Sequence, residues 1–113
     1  MKGSILMTIK EFLATTIKSH KYPFSDEIIQ ENRPRLLCND GFSISVQASK
    51  FHYCSPRLDG AQDYEKVELG YPSNEDELIN DYAEDDDYTR TVYGYVPIEV
   101  VEKLIEKHGG IKI

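Results

Sequence analysis

The sequence predicts a single α+β domain. It consists of an antiparallel sheet, a meander of three strands with one or two more, packed by about four helices and carrying a structural zinc site. Three observations point there. Apolar residues recur at helical spacing near both ends of the chain, in 8–20 and 97–110. The middle of the chain alternates polar and apolar residues around an Asn-Asp-Gly turn. A chain of 113 residues, 40% hydrophobic and 29% charged, can bury one core but not two, so 1–113 reads as one domain.

Taken in order, residues 1–7 read as a loose extension. An early lysine and a short apolar run are cut off by Lys10 and Glu11, so the start does not read as a signal peptide or membrane span. "TIKEFLATTIKSH" places Ile9, Phe12, Leu13 and Ile17 on one helical face, and Thr8 with Glu11 forms a capping box. "SDEIIQEN" (25–32) opens on a cap and an acidic turn and predicts a short second helix. "RLLC" and "FSISVQA" flank "NDG" as a hairpin, and "YEKVELGY" (64–71) is a further strand. "PSNEDELINDYAED" predicts a helix with Leu78, Ile79 and Tyr82 on one face. "TRTVYGYV" (89–96) is rich in β-branched and aromatic residues and reads as a strand. The clearest helix is "PIEVVEKLIEKHGG", with Pro97 at its start and Gly109 just past its end.

A register argument brings the chain's two cysteines onto one surface. A two-residue turn at Asp40 and Gly41 pairs Cys38 with Ser43. A second turn at Ala48 and Ser49 starts a third strand and pairs Ser43 with Cys54. Side chains alternate between faces, so Leu37, Phe42, Ile44, Val46, Phe51 and Tyr53 share an apolar face, and Cys38, Ser43, Ser45, His52 and Cys54 share the other. The two cysteine α-carbons then lie about 10 Å apart, two strand spacings, which is beyond disulfide reach. Cys38, His52 and Cys54 supply three of the four donors a zinc tetrahedron needs, and His108 at a helix end is the fourth. His20, also at a helix end, is its rival, and a nearby carboxylate is a third option. The blander readings are small core thiols, a His108 that opposes the helix dipole, and a Cys–His nucleophile–base pair.

Charge is concentrated. Twelve acids and one base between Asp59 and Asp87 give −11 in a chain of net charge −7. Such a field repels nucleic acid and attracts basic proteins, although an acidic stretch can also serve only as a solvated face. Asp81, Glu84, Asp85, Asp86, Asp87 and Tyr88 combine carboxylates with a tyrosine expected to be exposed, and are the candidate partner-binding residues. Arg33, Arg35, Lys50 and Arg57 sit near aromatic residues and could touch a phosphate, but without a basic stripe direct nucleic-acid binding is not expected. "HGGI" follows a helix and is a terminator, not a phosphate loop, and "DYAEDDDYTR" lacks the glycine and terminal glutamate of a calcium loop. With no signal peptide read at the start, the chain is expected to be cytoplasmic, and in that reducing compartment its two cysteines read as thiols or metal ligands rather than a bridge.

The run "LLCNDGFSISVQASKFHYCSPR", with "VELGYPS", "YAED", "TVYGYVP" and "EKHGG", resembles a group of small bacteriophage and prophage proteins, over nearly all of the chain from Arg35 onward. Proteins of this type are similar to anti-CRISPR inhibitors, among them metal-containing inhibitors of type II-A CRISPR nucleases. The resemblance implies a non-enzymatic protein in the cytoplasm of an infected or lysogenic bacterium. It would bind the RNA-guided nuclease and block DNA loading or cleavage, with Cys38, His52, Cys54 and His108 as structural metal ligands. The alternative is a zinc-stabilised phage interaction or structural module with another partner, and a third reading is a small Cys–His enzyme.

Overall fold

In this computed structural model, residues 7–21, 23 and 28–113 are described. The chain runs α1 (Ile9–Thr15), β1 (Lys18–Lys21), β2 (Ile28–Asn32), β3 (Leu36–Leu37), β4 (Ser43–Gln47), β5 (Lys66–Gly70), β6 (Val92–Pro97) and α2 (Ile98–Lys107). β1 and β2 form an antiparallel pair, and β3-β4-β5-β6 form a four-stranded antiparallel sheet in sequence order. The fold is therefore α+β, with two α-helices and one 3-10 turn at Asn80–Tyr82 among the described residues instead of about four helices.

The capping box forms as expected: Glu11 N–H donates to Thr8 Oγ1 at 3.1 Å and Thr8 N–H to Glu11 Oε1 at 3.0 Å. The helix stops at Thr15, well short of residue 20. The hydroxyls of Thr15 and Thr16 donate to the carbonyls of Glu11 and Phe12, and the β-branched run Thr15-Thr16-Ile17 favours leaving the helix. The helix expected over 25–32 is not found: residues 28–32 form β2, paired with β1, and 25–27 lie outside the described residues.

The β3–β4 hairpin is one residue out of the expected register. Leu36 pairs with Ile44 and Leu37 with Ser43, because the connection has three residues, Asn39 to Gly41, rather than two. Gly41 takes φ +97°, the left-handed conformation such loops need. Cys38 thereby faces inward with Leu36, Phe42, Ile44 and Val46, while Leu37 turns outward at 42% exposure. The third strand expected at 50–54 does not form. Ser49 O accepts His52 N–H and Ser49 Oγ accepts Phe51 N–H, so the chain coils tightly, and β5 takes the place beside β4. Phe51 and Tyr53 are exposed, not core. The expected helix near 72–85 shrinks to its single 3-10 turn, since Asp76 caps Leu78 N–H and the following bonds run from i to i+3.

β6 feeds directly into α2, and the inner face of the sheet (Leu36, Ile44, Val46, Val67, Leu69, Tyr93, Val96) shares one core with Phe12 and Leu13 of α1 and with Val101, Leu104 and Ile105 of α2. Past α2, Gly109 and Gly110, at φ +88° and +90°, reverse the chain so that Ile111 bridges back to Cys38. A bulge in β6 sets the surface relevant below. Val67 pairs with Val96 but Leu69 with Tyr93, so Gly94 and Tyr95 together face the single residue Glu68.

Candidate functional site

The four expected zinc ligands do not come together. Among the described residues no group of three or more His, Cys, Asp or Glu side chains could hold a metal ion. Cys38 is a core residue whose thiol is pushed up to about 11 by burial and then by Asp40. Cys54 is equally buried, its thiol donating to the carbonyls of Ser49 at 3.2 Å and Pro56 at 3.4 Å, and burial raises its pKa too. His52 lies with Nδ1 2.6 Å from Ser49 Oγ, and burial holds its pKa below 6.5. The side chain of His20 lies outside the described residues.

The expected site rested on the register. With a three-residue loop and no third strand, Cys38 turns into the core, and His52 and Cys54 fall in a coil. Ser49 is fully buried, so the Ser49–His52 contact braces a turn and presents no hydroxyl to a substrate. Iodoacetamide near neutral pH is accordingly expected to label neither cysteine quickly in the native protein and both rapidly in guanidinium. A melt with chelator is expected to superimpose on one without. Fast native labelling of Cys54 or a chelator-sensitive melt would show that these donors are disposed otherwise in solution.

His108 has a different role, which sequence reasoning missed. Its ring stacks on Phe42, centroids 4.0 Å apart and planes 8° from parallel. Nδ1 lies 2.7 Å from Asp40 Oδ2 and Nε2 2.9 Å from Asp76 Oδ2. With an acceptor at each nitrogen, both carry protons and the ring is cationic. Burial alone would lower its pKa, but the two carboxylates outweigh that and raise it above 6.5. Burial would likewise raise Asp76, which is 5% exposed, yet the N–H of Leu78, His108 and Lys107 hold it below 3.8. The cluster clasps the end of α2 to the β3–β4 hairpin and to the loop after β5. Spacing of 32 and 68 residues between these partners leaves no local sequence signal.

The acidic stretch is divided by the fold. Asp59 pairs with Lys50, Asp63 with Lys10 and Asp76 with Lys107, while Glu68 accepts the N–H of Tyr53. What stays at the surface is the 3-10 turn and the loop after it. Asp81, Glu84, Asp85, Asp86 and Asp87 are exposed and, among the described residues, have no Lys, Arg or His within ion-pair distance. Asp85 Oδ1 accepts the N–H of Asp87 at 3.0 Å, first of the contacts that keep it ionised below its ordinary range. Tyr88 is half-buried rather than exposed, and its carbonyl accepts the hydroxyl of the fully buried Tyr93. Glu84 N–H donates to Val92 O at 2.9 Å and Ala83 bridges Tyr93, so the start of the loop is tied to β6, and the Tyr93 hydroxyl ties its end at Tyr88. Asn80, Ala83, Glu84, Asp85, Asp86 and Tyr88 line an open depression of about 420 Å³.

The basic residues considered for phosphate contact divide likewise. Arg33 is buried, and Arg35 spends its guanidinium on Ser43 and the carbonyl of Tyr71. Lys50 lies over Phe51 and Arg57 over Tyr53, each at 5.3 Å. No helix among the described residues is long and apolar enough to cross a membrane. No protein-family model, curated protein or solved structure matches the chain.

Proposed function

We propose that the chain is a non-enzymatic binding module whose acidic loop, Asp81 and Glu84 to Tyr88, occupies a basic surface of a partner protein. The observation that carries this reading is the row of exposed carboxylates without cationic partners among the described residues, on a loop whose start and end are bonded to β6. A loop tied at both ends gives up less freedom on binding than a free tail, so more of its electrostatic attraction is retained as affinity. The burial of Cys38, Cys54 and Ser49 supports a role without covalent chemistry.

The likeness to phage-encoded inhibitors makes a type II-A RNA-guided nuclease in the bacterial cytoplasm the first partner to test, since its duplex channel is lined with positive charge. Added in excess to such a nuclease, the wild-type protein is expected to suppress DNA cleavage. The triple variant Asp85→Lys, Asp86→Lys, Asp87→Lys is expected to bind at least about tenfold more weakly, with a flatter salt dependence. Absence of inhibition across several type II-A nucleases would remove this partner. Unchanged affinity in the triple variant would remove the loop from the interface.

A further inference from the structure

Beside the acidic loop, two tyrosines form an exposed platform. Tyr53 is 40% and Tyr95 45% exposed, and their rings lie 5.9 Å apart, tilted by 33°. Three features build this pair. The bulge places Tyr95 in the left-handed region at φ +53°, where a non-glycine residue is disfavoured by about 1 kcal/mol, and turns it outward between the inward Tyr93 and Val96. Tyr95 N–H donates to Tyr53 O at 3.0 Å. At Gly94 an added Cβ would sit 3.3 Å from Tyr53 Cβ, so a side chain there would push Tyr53 away from β6 by a few tenths of an ångström. The same Cβ would be 3.7 Å from Glu84 Oε2, which puts the first carboxylate of the loop beside the platform.

The chemistry of an occupant follows from what the surface offers and from what it already accepts. It offers aromatic faces next to carboxylates, with Glu84 leading into Asp85, Asp86 and Asp87. It already accepts a guanidinium, that of Arg57, 5.3 Å from the Tyr53 ring centre. A guanidinium is planar, weakly hydrated and able both to stack on a ring and to bind a carboxylate with two parallel hydrogen bonds. An ammonium does the first less well and cannot do the second. Polyanions are opposed by the same carboxylates.

We propose that the Tyr53–Tyr95 platform and the adjoining 84–87 carboxylates together form the docking surface for an arginine-rich segment of a partner protein. The inference rests on the reading of the acidic loop as a docking surface and adds the residues that select arginine over lysine.

The test is a fluorescence-anisotropy titration of labelled nona-arginine and nona-lysine peptides, of equal length and charge, at low and physiological salt. Wild-type protein is expected to bind nona-arginine about fivefold more tightly than nona-lysine. Tyr95→Asn, chosen because asparagine tolerates the left-handed conformation, is expected to abolish that preference while leaving nona-lysine affinity in place. Tyr95→Phe, which keeps the ring, is expected to retain it. The lysine triple variant of the loop should weaken both peptides. Should Tyr95→Asn fail to fold, the ring-proton resonances of Tyr53 and Tyr95 in wild type decide, since they should shift on adding nona-arginine. Equal affinity for the two peptides, an unaltered preference in Tyr95→Asn, or unmoved ring resonances would overturn the platform while leaving the acidic-loop reading standing. No binding of either peptide at low salt would overturn both.

Discussion

Arg33→Ala is expected to destabilise the protein by about 3–4 kcal/mol, far more than the loss of a solvated arginine. Arg33 is 6% exposed and therefore not a surface residue at all. Its Nε donates to the carbonyl of Leu13 and its Nη1 to that of Ala48, both at 2.8 Å. Leu13 belongs to the last turn of α1, where carbonyls have no partner within the helix, so the guanidinium completes the end of α1. Ala48 directly follows β4, so the same side chain ties the helix to the sheet. Gln47 accepts the N–H of Arg33 and donates to its carbonyl, each at 2.8 Å, which fixes the backbone from which the side chain projects. The Tyr64 ring closes the site at 5.9 Å.

Removing the guanidinium strands two carbonyls in a region closed to water and leaves a cavity the size of the side chain. Urea titration should show the midpoint falling with an unchanged slope, and the melt should drop by roughly 12–16 °C for a chain of this size. Arg33→Lys can reach one carbonyl but not both, and should recover about half the loss. A loss below about 1 kcal/mol in Arg33→Ala would mean that α1 docks without this contact.

His108→Ala is expected to cost about 2–3 kcal/mol, because it removes the stacking on Phe42 and leaves the buried Asp76 carboxylate with Lys107 and the N–H of Leu78. The cost should depend on pH in a definite direction. The folded pKa of His108 lies above 6.5. Its charge therefore contributes fully below 6.5, and the contribution is lost as pH rises through the raised value. Asp40 and Asp76 are held below 3.8, so their contribution is present above that value and is lost as pH falls through their lowered folded values. His52 runs the other way, since burial depresses it and its cost appears as pH falls below 6.5. Subtracting the His108→Ala stability curve from that of wild type removes the His52 contribution common to both. The difference should be greatest between the carboxylate and imidazole ranges and shrink toward alkaline pH. A difference that is flat from pH 6 to 9 would show that folding leaves the pKa of His108 unshifted and that the residue acts by packing alone.

How much of this was legible can be argued from particular residues. The capping box at Thr8 and Glu11 and the start of α2 at Pro97 are local signals, and both operate where expected. β5 and β6 announced themselves by composition. The β3–β4 register did not. "LLC" offers three apolar residues in succession, so a hairpin loop of two residues or of three buries a leucine either way. The choice moves Cys38 from one face to the other, and with it the expected metal site. "FHYCS" alternates like a strand, yet the hydroxyl and carbonyl of the buried Ser49 hold it in turns. "SDEIIQEN" has the cap of a helix, but the pairing of Ile28–Asn32 with Lys18–Lys21 outweighs it. The acidic count was correct and its distribution was not, because Asp59, Asp63, Glu68 and Asp76 are engaged within the fold.

By itself the sequence determined the α+β class, the ends of the helices where a cap or terminator marks them, and the concentration of negative charge. These depend on neighbours within a few residues, where one side chain reaches its own backbone. Only the tertiary structure decided that Arg33 is a buried staple, that His108 is a cation between Asp40 and Asp76, and that Tyr53 lies on Gly94 beside Glu84. Each of those depends on groups that are distant along the chain, and their meeting is set by one hairpin loop length and one bulge.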